Sequence, residues 1–218
     1  MSNNEFQIPS ASKIGLFFGT FNPIHVGHLV IANYMVEFTP LKEVWFVVTP
    51  RNPLKNKSTL LKDNLRLYMV NLAIENINKL KSCDIEFKLP KPSYTINTLA
   101  YLKEKYPNKN FTLIMGSDNL ATFHKWKNYK QILENYELYI YPRPESDSGI
   151  LKNNEQNLTG LENLLGLKNH KNIKIVDAPL MEISSSFIRR AIKEKKDIRF
   201  FLTDTVYRHI TEMHFYEK

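Results

Sequence analysis

Short, mostly apolar runs alternate along this chain with segments whose apolar residues recur every three to four positions. Ile14 to Phe18, Val44 to Val48, Ile85 to Phe87, Phe111 to Met115, Leu138 to Tyr141 and Ile173 to Val176 are runs of the first kind. Their mostly continuous polarity predicts strands covered on both faces, as in a buried parallel sheet. Leu29 to Phe38 follows the first run, while Leu65, Met69, Leu72 and Ala73, and then Ile96, Leu99 and Leu102, repeat at the spacing of a helix face. Such β-α-β-α alternation predicts an α/β fold: a Rossmann-like, doubly wound, mainly parallel sheet flanked by helices. Ligands of such sheets sit beyond the carboxyl ends of the strands.

The rhythm breaks at Pro142 to Gly149 ("PRPESDSG") and through the Asn-rich stretch up to Asn172. Turn-forming composition there predicts loops with one short helix around Leu161 to Leu165. Ser184 to Tyr216 reads as helical and is expected to pack at the sheet's edge. We therefore expect one domain over residues 1–218, with a polar tail at 1–12 and a helical C-terminal segment at 184–218.

Composition narrows the class of protein. With 43% hydrophobic and 24% charged residues, the 218-residue chain is an ordinary globular sequence. Val44 to Val48 is far too short to cross a bilayer, and the opening MSNNEFQIPSASK lacks the pattern of a secretory signal. A single cysteine forms no internal disulfide. We expect a cytoplasmic protein without a membrane partner. The net charge of +8 fits nucleic acid, a membrane surface or anionic small molecules equally well. Much of the excess lies in "KNHKNIK" and "IRRAIKEKK", which read as solvated faces.

Candidate chemistry concentrates in "GLFFGTFNPIHVGH", residues 15 to 28, which holds two of the six histidines. A strand ending at Phe18 makes Gly19 to Pro23 the turn at its carboxyl end, and a helix starting near Ile24 to Val26 follows. His25 and His28 then share one side of the first helical turn, beside unpaired backbone N–H groups and the positive end of the helix dipole. Such a place suits a nucleotide phosphate, with Gly19 and Gly27 allowing close approach and the imidazoles donating to phosphoryl oxygens. Metal ligation is the competing reading, but no third Cys, His or carboxylate lies nearby in sequence to complete a catalytic zinc set. Partly buried histidines at a helix start are the plain alternative. Neither the P-loop nor the dinucleotide-binding glycine pattern occurs.

"GTFNPIHVGH" resembles the G-x-F-[DN]-P-x-H-x-G-H signature of the nucleotidyltransferase α/β-phosphodiesterase superfamily. Four further stretches, in order, are similar to the bacterial nicotinate-nucleotide adenylyltransferase branch: "TPRNPLKNK" (49–57), "PSYTINTL" (92–99), "IMGSDNLATFHKW" (114–126) and "ISSSFIRR" (183–190). The resemblance spans about Lys13 to Ile210. It implies transfer of the adenylyl group of ATP to nicotinate mononucleotide, giving deamido-NAD and pyrophosphate.

It also implies roles. His25, His28, Lys55 and Arg189 would stabilise charge at the reacting phosphates, with Lys57 the alternative to Lys55. Gly19, Thr20, Phe21, Gly116, Asp118, Ser185 and Ser186 would join them around ATP, while Tyr94, Thr95 and Trp126 would line the nicotinate pocket with Lys55. Ser184 to Ser186 need do no more than cap a helix, and Trp126 equally suits a core position. Mg²⁺ is implied as a companion of ATP, held mainly by phosphates and water rather than by the protein. Asn22 stands where much of the family has Asp, which leaves any charge-based metal contact there in doubt. The competing functions are another adenylyl- or cytidylyltransferase of the superfamily, such as one acting on pantetheine phosphate, and, from a different class, an RNA-binding module. No RNA-reading motif is present, so nucleic acid is not an expected partner. The oligomeric state, including a homo-oligomer, stays open.

Overall fold

The computed structural model describes residues 12–50, 60–120, 122–143 and 170–217. Lys55, Lys57 and the helix expected around Leu161 to Leu165 lie outside the described residues. Six strands form one sheet: β1 (Ser12–Gly19), β2 (Glu43–Val48), β3 (Leu80–Cys83), β4 (Lys109–Gly116), β5 (Glu137–Tyr141) and β6 (Ile173–Ile175). Their order is β3-β2-β1-β4-β5-β6, and every adjacent pair is parallel. β1 begins at Ser12, one residue inside the expected tail.

Both faces of the central strands are covered, which is why their runs are predominantly apolar. Phe17, Val44, Phe46, Val48 and Ile114 enter one core with Ile31 and Met35 of α1 (Val26–Phe38) and Met69 and Val70 of α2 (Asp63–Ile74). Ile14, Leu16, Trp45, Val47 and Leu113 point the other way. They meet Leu99 and Leu102 of α3 (Thr95–Lys105) and Ile132 of α5 (Tyr129–Asn135), the short α4 (Ser117–Leu120) lying between. Successive side chains of a strand leave opposite faces, so two cores favour apolar residues at successive positions.

One expectation is corrected. Ile85–Phe87 is a 3-10 turn, and the third strand is the preceding Leu80–Cys83. This edge strand, LKSC, is buried only at Leu80, so it carries no apolar run; the run that follows is apolar because Ile85 fills the second core. The C-terminal segment comprises α6 (Ser185–Lys193), a 3-10 turn at Arg199–Phe201 and α7 (Asp204–Glu212). Ile188, Ile198, Val206 and Ile210 join the core of α1 and α2, and the Thr205 hydroxyl donates to the Leu72 carbonyl at 3.0 Å. Among the described residues no helix is long and apolar enough to cross a membrane.

The strand order reverses direction between β1 and β4, and such a switch point opens a crevice at the carboxyl ends of the strands. Arg66 fixes the chain there. Its guanidinium has no exposed surface. Nε donates to the Leu61 carbonyl at 3.1 Å, Nη1 to the carbonyls of Thr20 and Thr49 (the latter at 2.9 Å), and Nη2 to Asp63 Oδ1 at 2.6 Å. The segments leaving β1 and β2 are thereby tied to the start of α2. Arg66→Leu would strand these carbonyls and should cost about 3 kcal/mol or more. Urea unfolding checks this, and a loss below about 1 kcal/mol would contradict it.

Candidate active site at the carboxyl ends of the strands

The chain leaves β1 through Thr20, Phe21, Asn22 and Pro23 before α1 begins at Val26 with His25 as its N-cap. Phe21 has φ 46°, a left-handed conformation that is uncommon for a bulky residue. Packing holds it there: its ring is 2% exposed and meets Phe17 and Phe46 edge-on at 5.9 and 5.4 Å. Gly19 is required by the same ring, since a Cβ on residue 19 would lie 2.8 Å from it. At Gly27 a Cβ would lie 3.1 Å from the His25 ring, so both glycines sit against aromatic rings of the turn.

The two imidazoles are stacked, with centroids 3.7 Å apart and planes at 28°. His25 N–H donates to Nδ1 of His28 at 3.3 Å. A neutral imidazole accepting through Nδ1 carries its proton on Nε2, so His28 is set as an Nε2–H donor. The His28 ring packs against Phe21 and Phe17 at 5.1 and 5.9 Å. Burial in these apolar surroundings, then the neighbouring His25 and the Arg143 charge, hold His28 well below the ordinary histidine value. His25, only 5% exposed, is brought down to about 3 by burial and then by Arg143. Both rings are therefore neutral at physiological pH.

Arg189 comes to the same turn from α6. Its Nη1 donates to the Asn22 carbonyl at 2.8 Å and its Nη2 to Ser186 Oγ at 3.2 Å. Ser184 caps α6 by accepting the Phe187 N–H at 3.1 Å, and the Ser185 hydroxyl donates to the Pro23 carbonyl at 2.8 Å. The serine cluster thus divides its work, one hydroxyl capping the helix and the next fastening that helix to the histidine turn.

A second group follows β4 and β5. A Cβ on Gly116 would run into the Asp118 carboxylate and lie 3.3 Å from the Tyr141 ring, so a side chain here would displace Asp118. Asp118 is paired with Arg143 at 3.2 Å, and the Arg143 N–H donates to Ser117 Oγ at 3.1 Å. Arg143, whose charge reaches both histidines, was not singled out from sequence. It is the first charged residue beyond β5, and its position after a strand end was the available signal.

A third group surrounds the start of α3. Tyr94 is the N-cap and Thr95 the first helical residue. Lys127 Nζ lies 4.5 Å from the Tyr94 ring centroid, which brings the PSYTINTL segment against the residue after Trp126. Trp126 is half-buried with its ring edge-on to Phe123 at 5.4 Å, so it is partly a core residue. Behind the helix start lies Glu86, 2% exposed, which accepts from the Thr98 hydroxyl at 2.8 Å and the Ser93 hydroxyl at 3.3 Å. Burial pushes its carboxyl up while those hydroxyls oppose the shift. Nothing in the sequence reading marked Glu86.

Among the described residues no group of three or more His, Cys, Asp or Glu is placed to hold a metal ion. The carboxamide oxygen of Asn22 already accepts from Leu61 N–H at 3.2 Å and from the Tyr216 hydroxyl at 2.8 Å. Asp118 is committed to Arg143. The donor set does not suit a resident Mg²⁺.

A parallel sheet with a switch point, and a paired-histidine turn fastened to a C-terminal helix, define a nucleotide-handling α/β class. The chain belongs to the cytidylyltransferase-like family, whose model matches residues 16–191. Within that family it is similar to the probable nicotinate-nucleotide adenylyltransferase of Flavobacterium johnsoniae, 55% identical over 206 residues that cover 94% of this chain and 100% of that protein. The corresponding protein of Bacteroides fragilis is 45% identical, covering 92% of each chain. Among solved structures, Plasmodium falciparum nicotinic acid mononucleotide adenylyltransferase complexed with NaAD superposes with a TM-score of 0.72. It shares 20% identity and covers 94% of this chain and 98% of that one, a likeness of fold. The expected family and fold class are both borne out.

The neutral histidines carry a consequence for stability. Below pH 6.5 the unfolded chain protonates His25 while the folded protein, with its value near 3, does not, so stability is lost as pH falls through that window. The slope is at most about 1.4 kcal/mol per pH unit for one group. Urea unfolding at pH 7 and pH 5 should show His25→Gln losing less stability on acidification than the wild type, by up to about 2 kcal/mol. Equal losses in the two proteins would show that His25 titrates normally.

Proposed function

We propose that this protein transfers the adenylyl group of ATP to nicotinate mononucleotide, releasing pyrophosphate and forming deamido-NAD. One observation supports it most: the stacked neutral pair His25 and His28 lies at the start of α1, at the switch point, on a turn gripped by Arg189. High identity to relatives named for this activity over nearly the whole chain supports the choice of substrates.

In this reading a phosphate oxygen of the mononucleotide attacks the α-phosphorus of ATP, a new P–O bond forms, and the bond to the β-phosphate oxygen breaks. The attacking phosphate has a second pKa near 6 and is ionised at neutral pH, so no side chain need take a proton. What the protein supplies is position and donors. His28 Nε2–H and its stacked partner offer fixed hydrogen bonds to oxygens whose charge grows in the transition state. Positive charge comes from Arg189 and Arg143, to which Lys55 and Lys57 of the basic stretch TPRNPLKNK would add. Gly19, Thr20, Phe21, Ser185 and Ser186 shape the turn that receives the triphosphate, while Gly116 and Asp118 border the adenosine side. Mg²⁺ arrives with ATP as part of the substrate.

Tyr94, Thr95 and Trp126 receive the pyridine ring. Backbone N–H groups at the first turn of α3 and the Lys127 ammonium favour a carboxylate there, hence nicotinate over nicotinamide. Product analysis with ATP or CTP, and with nicotinate mononucleotide, nicotinamide mononucleotide or phosphopantetheine, tests the whole reading. Deamido-NAD from ATP and the nicotinate acceptor is expected, and faster turnover of CTP or phosphopantetheine would overturn it. His28→Ala should lower kcat roughly a hundredfold while ATP binding changes far less. Turnover within twofold of wild type would remove His28 from the chemistry.

A further inference from the structure

Asn22 is a buried hinge point of the histidine turn, 3% exposed and three residues before His25. Distant segments hold it at both ends. Arg189 from α6 donates to its backbone carbonyl at 2.8 Å, and its side-chain oxygen accepts from Leu61 N–H at 3.2 Å and from the Tyr216 hydroxyl at 2.8 Å. Tyr216 lies 194 residues away in sequence, in the turns after α7.

The chain goes to some trouble to place that hydroxyl. After α7, His214 and Tyr216 take left-handed backbone conformations, φ 52° and 68°, and the Phe215 N–H closes the helix end on the Ile210 carbonyl at 3.1 Å. Non-glycine residues adopt such conformations only where the surroundings over-determine them. Here the Tyr216 ring turns inward to pack on the first core, next to Phe215 at 6.2 Å. An amide oxygen only accepts, so the tyrosine O–H is the donor and the Asn22 side chain has one orientation.

We infer that Tyr216 is a positioning residue for nucleotide transfer: through Asn22 it fixes the turn that carries His25 and His28. The inference rests on the function proposed above for its kinetic expression. A phenol ring alone would satisfy the packing; the hydroxyl and its acceptor are what a positioning role adds. Burial pushes the phenol up, against the opposing charges of Arg189 and Arg66, so the group stays protonated and able to donate throughout the working range.

Tyr216→Phe keeps the ring and removes the bond. We expect kcat for deamido-NAD formation to fall roughly five- to tenfold with KM for ATP within twofold, since one positioning hydrogen bond is lost and no substrate contact is. In a double-mutant cycle with Asn22→Ala, the double variant should be no slower than Asn22→Ala alone, because both changes remove one interaction. Unchanged kcat in Tyr216→Phe, or additive losses, would overturn the inference. Imidazole NMR of the two full-length proteins provides a readout independent of acceptor. His25 and His28 resonances should move in Tyr216→Phe while those of His170 do not, and superimposable spectra would refute the positioning role. If the spectra move but the wild type makes no deamido-NAD, the substrate assignment fails and the positioning role stands.

Discussion

One buried guanidinium organises the working end of this molecule. Arg66 is surrounded by protein, yet its donors meet carbonyls from the chain leaving β1, the chain leaving β2 and the approach to α2, together with the Asp63 carboxylate. A buried cation is tolerable only when its donors are satisfied, and here the acceptors are carbonyls just past the paired ends of β1 and β2, joined to the approach to α2. The planar fork of arginine suits this task where a lysine ammonium would not. The histidine turn is therefore braced from beneath before any ligand contributes.

Electrostatics at the site divide labour between neutral donors and fixed cations. The apolar rings around His25 and His28 suppress their protonation, and Arg143 discourages it further. This leaves the imidazoles as oriented dipoles, which in the proposed reaction would need no reorganisation as charge develops on a phosphoryl group. Of the cations, Arg143 is partly exposed and paired with Asp118, while Arg189 is partly buried and anchored on a backbone carbonyl, burial holding its guanidinium below its ordinary value. Hydrogen-bond geometry and net positive charge thus come from different residues, each in the dielectric that suits it.

Much of the fold was legible because two-sided burial writes itself directly into mostly apolar runs. β1, β2, β4, β5 and β6 fall where such runs stand, and the paired histidines announce the turn between the first strand and helix. β3 escaped because an edge strand needs few apolar residues, and its neighbour Ile85–Phe87 mimicked one. Arg66 was illegible for a different reason. An arginine on an amphipathic helix reads as solvent-facing, and only the arrival of Thr20 and Thr49 from elsewhere makes its burial favourable. Arg143 and Glu86 share that character, their roles being set by partners that the linear sequence does not adjoin. The serine cluster was legible as a cap, but not as the clasp on Pro23.

Asn22 belongs to the opening stretch of the chain, yet its surroundings are completed by residues 61, 189 and 216. Closing a loop of nearly two hundred residues carries an entropic cost that grows only logarithmically with length, so such remote clasping is affordable once the core exists. During synthesis, however, the early strands emerge long before their clasps. The histidine turn of a nascent chain would lack its last clasp until residue 216 had emerged, so its final increment of order would arrive late rather than in proportion to the length translated.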